Sequence, residues 1–178
     1  MIQTEEPKGG TAMRLYLKQK VFSWKDKFSV KNSDGDDLYF VEGKVISVGK
    51  KLRIYNAEGD ELAFVKQKVV ALTPKFLVEI DGRDVAQIVK KVTLFKPKYI
   101  VKGPDWEVKG DLFSHDYTII DKNRPIITIH KKWMSWGDTF ELEVEDGTDT
   151  VTALAVVLAI DAVMDAEAAV AAAASQNQ

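Results

Sequence analysis

The chain has 178 residues, 46% of them hydrophobic, which suffices for one sizeable core and sits near the usual size of a single domain. Its net charge of −2, from 25 basic and 27 acidic residues, argues against a general nucleic-acid binder. The absence of cysteine excludes disulfides, thiolate metal sites and thiol nucleophiles, and fits a cytoplasmic location.

Residues 1–12 are polar, lack the apolar core of a signal peptide, and precede the alternating "RLYLKQ" that follows Met13. They are expected to form a flexible extension outside the fold. From Gln19 to Val30 the chain reads "QKVFSWKDKFSV", and it reads nearly the same from Lys131 to Leu142, "KKWMSWGDTFEL". Four weaker copies lie between: "GKVISVGKKLRI", "QKVVALTPKFLV", "KKVTLFKPKYIV" and "VKGDLFSHDYTI". Each copy has a lysine second: Lys20, Lys44, Lys68, Lys91, Lys109 and Lys132. Four places later stands Trp24, Val48, Leu72, Phe95, Phe113 or Trp136, and eight places later Phe28, Leu52, Phe76, Tyr99, Tyr117 or Phe140. Two places further comes a Val, Ile or Leu. A pattern held at lysine spacings of 24, 24, 23, 18 and 23 marks a structural repeat.

Each unit reads as two strands, rich in β-branched and aromatic residues and without helix caps. "NSDGDD", "NAEGDE" and "DGRD" join the units as tight turns, since Gly, Asn and Asp accept the required backbone angles at low cost. Six such units predict about twelve antiparallel strands, and a sheet that wide loses its exposed edges by closing into a barrel. A barrel of that size leaves a lumen to be filled. "DTVTALAVVLAIDAV", Asp149 to Val163, supplies the plug: it is apolar on every face through Ile160, and Thr148 or Asp149 can cap its start. Val151 to Ile160 is too short for a bilayer, which needs about 20 residues. The Ala-rich residues 166–178 are expected either to prolong this helix or to be disordered.

"MRLYLKQKVFSWKDKFSVKNSDG", "VTLFKPKYIV", "SWGDTFELEV" and "ALAVVLAIDAV" together resemble the LURP-one-related (YxjI-like) family, which belongs with the Tubby C-terminal domain and the phospholipid scramblases. The resemblance runs from about Met13 to Asp165. It implies a mainly β fold: a closed twelve-stranded antiparallel Tubby-like barrel over residues 13–165, enclosing a C-terminal hydrophobic helix. It implies little about chemistry. No segment matches the basic phosphoinositide-binding motif of the Tubby proteins, so no lipid-binding residue carries over, and the scramblases' cysteine-rich segment is absent.

The residues themselves suggest no catalysis. His115 and His130 are the only histidines and lack metal-binding spacing; they read as ordinary strand or turn residues. Asp26 and Asp138 recur in the two "SWxD" segments and read as turn-bonding carboxylates rather than an acid–base pair. "NSDGDDLYFVE" lacks the full calcium-loop spacing. No G-x-S-x-G, P-loop or dinucleotide fingerprint is present. No cofactor, metal or nucleic acid is expected. Trp24, Trp133, Trp136, Leu154 and Leu158 are expected in the core; for the tryptophans, an aromatic ligand platform is the alternative.

Because a meander reverses at every turn, turns within units gather at one end of the barrel and turns between units at the other. The first set holds Lys25, Lys27, Lys50, Lys51, Lys75, Lys96 and Lys98 against Asp26, Asp116 and Asp138; the second is rich in Asp and Glu, diluted by Arg83, Lys102, Lys122 and Arg124. A basic rim of this kind can attract anionic phospholipid headgroups at about 1 kcal/mol per lysine. The sequence therefore predicts a non-enzymatic binding module with an anionic phospholipid or membrane surface as partner, peripheral to the membrane. A protein-interaction scaffold and a small-ligand carrier are the alternatives.

Overall fold

A computed structural model describes residues 12–18, 27–46, 49–68, 74–91, 98–134 and 137–175, with only the backbone at positions 45, 46, 133, 137 and 138. Twelve strands follow in chain order: β1 (Met13–Lys18), β2 (Lys27–Lys31), β3 (Asp37–Ile46), β4 (Gly49–Tyr55), β5 (Glu61–Gln67), β6 (Phe76–Ile80), β7 (Arg83–Lys91), β8 (Lys98–Lys102), β9 (Trp106–Asp111), β10 (Asp116–Asp121), β11 (Arg124–Met134) and β12 (Gly137–Val144). Each pairs antiparallel with its neighbours in sequence, and β1 pairs with β12 from Met13↔Val144 to Lys18↔Thr139, so the sheet closes into a barrel. Among the described residues, β1 joins β2 through Tyr16↔Lys31.

The repeat is the inner surface of this barrel. Val30, Ile54, Val78, Val101, Ile119 and Leu142, each ten places after a register lysine, are all 0% exposed. One residue from every unit thus points inward at the same relative place, as the period-2 alternation of a strand requires. Two places earlier, Leu52, Phe76, Tyr99, Tyr117 and Phe140 are also buried, and Phe28 packs against the same core. The position four after the lysine behaves differently in the one unit where it is described. Phe113 lies in the β9–β10 turn and is 82% exposed, so it is no wall residue. Trp24 and Trp136 lie outside the described residues, and Trp133 is placed by its backbone alone, opposite Asp138.

The turns between units are built as their residues demand. The Asn32 side-chain oxygen accepts the amides of Asp34 and Asp36, both at 2.9 Å; Asn56 accepts that of Asp60 at 2.8 Å, its own amide donating to the Asp60 carboxylate at 3.0 Å. Asp81–Gly82 and Lys122–Asn123 are two-residue turns with positive φ at both positions, the form that suits the twist of a hairpin. Gly110, inside β9, has φ +120°, and a Cβ there would stand 2.6 Å from the Asp116 carbonyl oxygen.

The lumen is filled by one helix, α1 (Thr150–Ser175). The Asp149 carboxylate caps it, accepting the Thr152 amide at 2.7 Å and the Thr152 hydroxyl at 2.6 Å. Every residue from Ala153 to Val163 is buried, including Leu154 and Leu158, and the helix lies against β5, β6, β7 and β12. Its alanines let the wall approach closely, while Leu154, Leu158 and Ile160 fill the remaining width. The helix continues through the Ala-rich segment to Ser175, with Ala168–Ser175 exposed. Among the described residues, no helix is long and apolar enough to cross a membrane.

Candidate functional site

The closed meander gives the barrel two unlike mouths. Helix α1 follows β12 and enters at the mouth that carries the turns between units. It leaves through the mouth bounded by the ends of β3, β5, β7 and β9 and the starts of β4, β6, β8 and β10. Three carboxylates of α1 meet that second mouth. Asp161 lies 3.0 Å from His115 Nε2, Asp165 lies 4.0 Å from Lys50 Nζ, and Glu167 accepts from Lys90 Nζ at 2.7 Å and from the Tyr99 hydroxyl at 2.8 Å.

Burial and charge compete within this cluster. Asp161 is buried, which pushes its carboxyl above the ordinary range, while His115 and Lys50 pull it down. Burial lowers the Lys50 ammonium, opposed by the nearby Asp165 and Asp161. Burial and the Asp161 charge push the Tyr117 phenol far up; burial and the bond to Glu167 do the same for Tyr99. His115 holds φ +54°, unusual outside glycine, and its ring stacks on Phe140 with centroids 4.3 Å apart. These bonds fasten the emerging helix to four different strands or turns.

Outside the wall a second buried carboxylate, Glu141 on β12, is held by Lys132 at 2.5 Å, by His130 at 2.9 Å and by Tyr16. Burial raises its pKa, but the donors outweigh burial and its net shift is downward. The Tyr16 phenol is pushed up to about 12 by burial and by Glu141. Both histidines therefore partner a buried carboxylate. Among the described residues, no group of three or more His, Asp or Glu converges as a metal site.

The expected rim lysines separate into two kinds. Lys50 is half-buried and turned to the helix, joined there by Lys90; it is not the exposed turn charge that the sequence suggested. Lys27 is 79% exposed but ion-paired with Glu42. Lys51, Lys75 and Lys98 form no ion pair among the described residues; Lys51 Nζ lies 5.9 Å from the centroid of Phe64. Lys25 and Lys96 lie outside the described residues. Two features were missed from sequence. Lys51 stands directly opposite Lys44, and Lys98 directly opposite Lys91. Neither pair has a carboxylate in ion-pair contact among the described residues, although like charges directly opposite each other weaken a sheet. A separate open groove of about 680 Å³ runs along the outside of β2–β4, lined by Phe40 and Tyr55 among others.

With the barrel, its central helix and this mouth in view, the class of protein is defined: the LURP-one-related family profile matches residues 13–161, and the chain belongs to that family. It is 34% identical over 152 residues to an uncharacterized protein of Bacillus subtilis (strain 168), YxjI, covering 85% of this chain and 94% of that one. It also resembles the X-ray structure of a protein from Arabidopsis thaliana, with a TM-score of 0.62 at 14% identity, over 84% of this chain and 90% of the other. That likeness is one of fold.

Proposed function

We propose that the protein is a non-enzymatic binding module whose basic mouth docks on an anionic phospholipid surface. One observation carries this reading: Lys44 faces Lys51, and Lys91 faces Lys98, and among the described residues no carboxylate is in ion-pair contact with either pair, although Glu42 lies near enough to Lys44 to feel its charge. Such pairs oppose folding slightly, whereas an array of phosphates would relieve their repulsion. The test is sedimentation with phosphatidylserine vesicles at about 50 mM salt, where screening is weak. Lys44, Lys51, Lys91 and Lys98 changed together to Glu should abolish binding, at about 1 kcal/mol lost per lysine before any repulsion is added. Asp36, Asp60 and Asp84, changed to Lys at the opposite mouth, should not weaken it. Wild-type protein that ignores such vesicles sinks the reading.

The outer groove favours a second reading, a protein-interaction scaffold, because it exposes Phe40 beside Tyr55 on adjoining strands. Aromatic side chains in a concave site are the usual anchors of a protein partner. Co-purification of one partner at fixed stoichiometry, lost on Phe40→Ser, would support it.

A further inference from the structure

We infer that the basic mouth buries two apolar elements in the headgroup region of a bilayer: the Phe113 turn and the uncharged end of α1. The inference rests on the docking reading above and adds which atoms enter the lipid and how the barrel is oriented. Phe113 is one of the few exposed large hydrophobic side chains among the described residues, at 82%, and Val170 on α1 is another, at 63%. Both lie at the mouth of the lysine pairs. Two residues after Phe113, His115 bonds to Asp161; three residues before Val170, Glu167 bonds to Lys90, the neighbour of Lys91.

The Phe113 turn is held in place. The Asp111 carboxylate accepts the amides of Phe113 at 3.0 Å and Ser114 at 3.4 Å, the His115 amide donates to the Leu112 carbonyl at 3.1 Å, and Leu112 packs on the core. A fixed turn that presents a phenyl ring to solvent is set for an apolar surface. From Ala168 to Ser175 the helix carries no charge and is exposed, extending about 12 Å at 1.5 Å per residue. That length reaches as far as the headgroup layer, the region between the roughly 30 Å hydrocarbon core and water. The lysines beside it supply charge complementarity to anionic lipid. Phenylalanine on the apolar side with lysines beside it is a composition that interfacial elements use.

The cysteine-free chain makes the test direct. Phe113→Cys and, separately, Ala171→Cys are labelled with a polarity-sensitive fluorophore; Asp60→Cys at the other mouth is the control. Phosphatidylserine vesicles should shift emission to the blue at 113 and 171 and leave 60 unchanged, and lipid-borne quenchers should reach only the first two. Phe113→Ser should melt like wild type and bind vesicles about tenfold more weakly, with the same salt dependence. If wild-type protein does not bind the vesicles, the docking reading fails and takes this inference with it. If it binds, yet the 113 label stays in water and Phe113→Ser binds as tightly, the docking is purely electrostatic and only the insertion is overturned. A dimer without lipid that Phe113→Ser converts to monomer identifies the face as a self-association surface instead, and also overturns the insertion.

Discussion

At the mouth where α1 enters, the charges have local work: Asn32 and Asn56 fold their turns by side-chain bonds, Asp36 and Asp60 receive those bonds, and Asp149 caps the helix. At the mouth where α1 leaves, Lys50, Lys90 and His115 are occupied with the carboxylates of α1, but Lys44, Lys51, Lys91 and Lys98 serve no turn, cap or ion pair among the described residues. Acidic charge at the first mouth is a by-product of turn geometry, because Asp and Asn are the residues such turns need. Among the described residues, no such turn bond or cap involves Lys44, Lys51, Lys91 or Lys98. Charges that the backbone explains tell little about partners; the lysine pairs are the charges on which the proposed docking rests.

The largest test of this contrast removes what joins the mouths. Leu158→Asp places an unpaired carboxylate in the fully buried stretch of α1 and should cost about 5 kcal/mol or more, enough to unfold a domain of ordinary stability. Ala172→Asp, on the protruding part of the same helix, should shift the melting temperature little. Equal effects on thermal unfolding would mean that the helix is not buried as described. Next, glycine can be challenged at each mouth. Gly110→Ala forces a Cβ to 2.6 Å from a backbone oxygen in addition to a φ of +120°, and should cost about 3 kcal/mol by denaturant titration. Gly59→Ala meets nothing within 4 Å and should cost about 1 kcal/mol, from its φ of +92° alone.

The pH response separates the helix anchor from the wall. Asp161 has a folded pKa above the ordinary value. Between the two values the folded chain binds more protons than the unfolded one, so this group's contribution to stability falls as pH rises through that window. Asp161→Asn should remove that part of the slope of melting temperature against pH. Glu141 has the opposite sign: its folded pKa is lowered, so its contribution is present above the ordinary value and is lost as pH falls through the folded one. An Asp161→Asn protein with an unchanged slope would show that His115 and Lys50 keep the carboxylate ionised without cost. The smallest effect sharpens the charge argument most. Lys91→Glu turns a repulsive cross-strand pair into an attractive one and should stabilise the barrel by about 0.2–1 kcal/mol. A gain in stability together with weaker vesicle binding is the signature of a charge kept for a partner.

Most of the architecture was readable because the repeat repeats an orientation. A residue that recurs ten places after each lysine and always faces the lumen leaves the same trace in every unit, and the turns carry their own chemistry in "NSDGDD" and "DGRD". The site was less readable. Lys50 and Lys98 look alike as lysines near a turn, and only strand register shows that one reaches the helix while the other faces Lys91. Asp161 marked the end of the apolar run in sequence; in the barrel it stays buried, because His115, 46 positions away, closes over it. A lone carboxylate within an apolar helix was the available signal, and its partner lay on a unit joined to it only through the barrel. Phe113 matched the repeat four places after Lys109, yet that place falls in the β9–β10 turn, where no strand alternation turns a side chain inward.

The near-equivalence of the six units also sets a problem of angular choice. A rod that is apolar on every side, in a socket lined all round by apolar side chains, has no polar face to fix its azimuth, so hydrophobicity leaves that choice to the fit of its alanines and leucines against the wall. Three polar fastenings, Asp161 to His115, Asp165 to Lys50, and Glu167 to Lys90 and Tyr99, break that degeneracy at one end only, like the teeth of a key in an otherwise smooth lock. The barrel thus selects a single rotational setting for its axle, and the teeth stand at the same mouth that meets the proposed target.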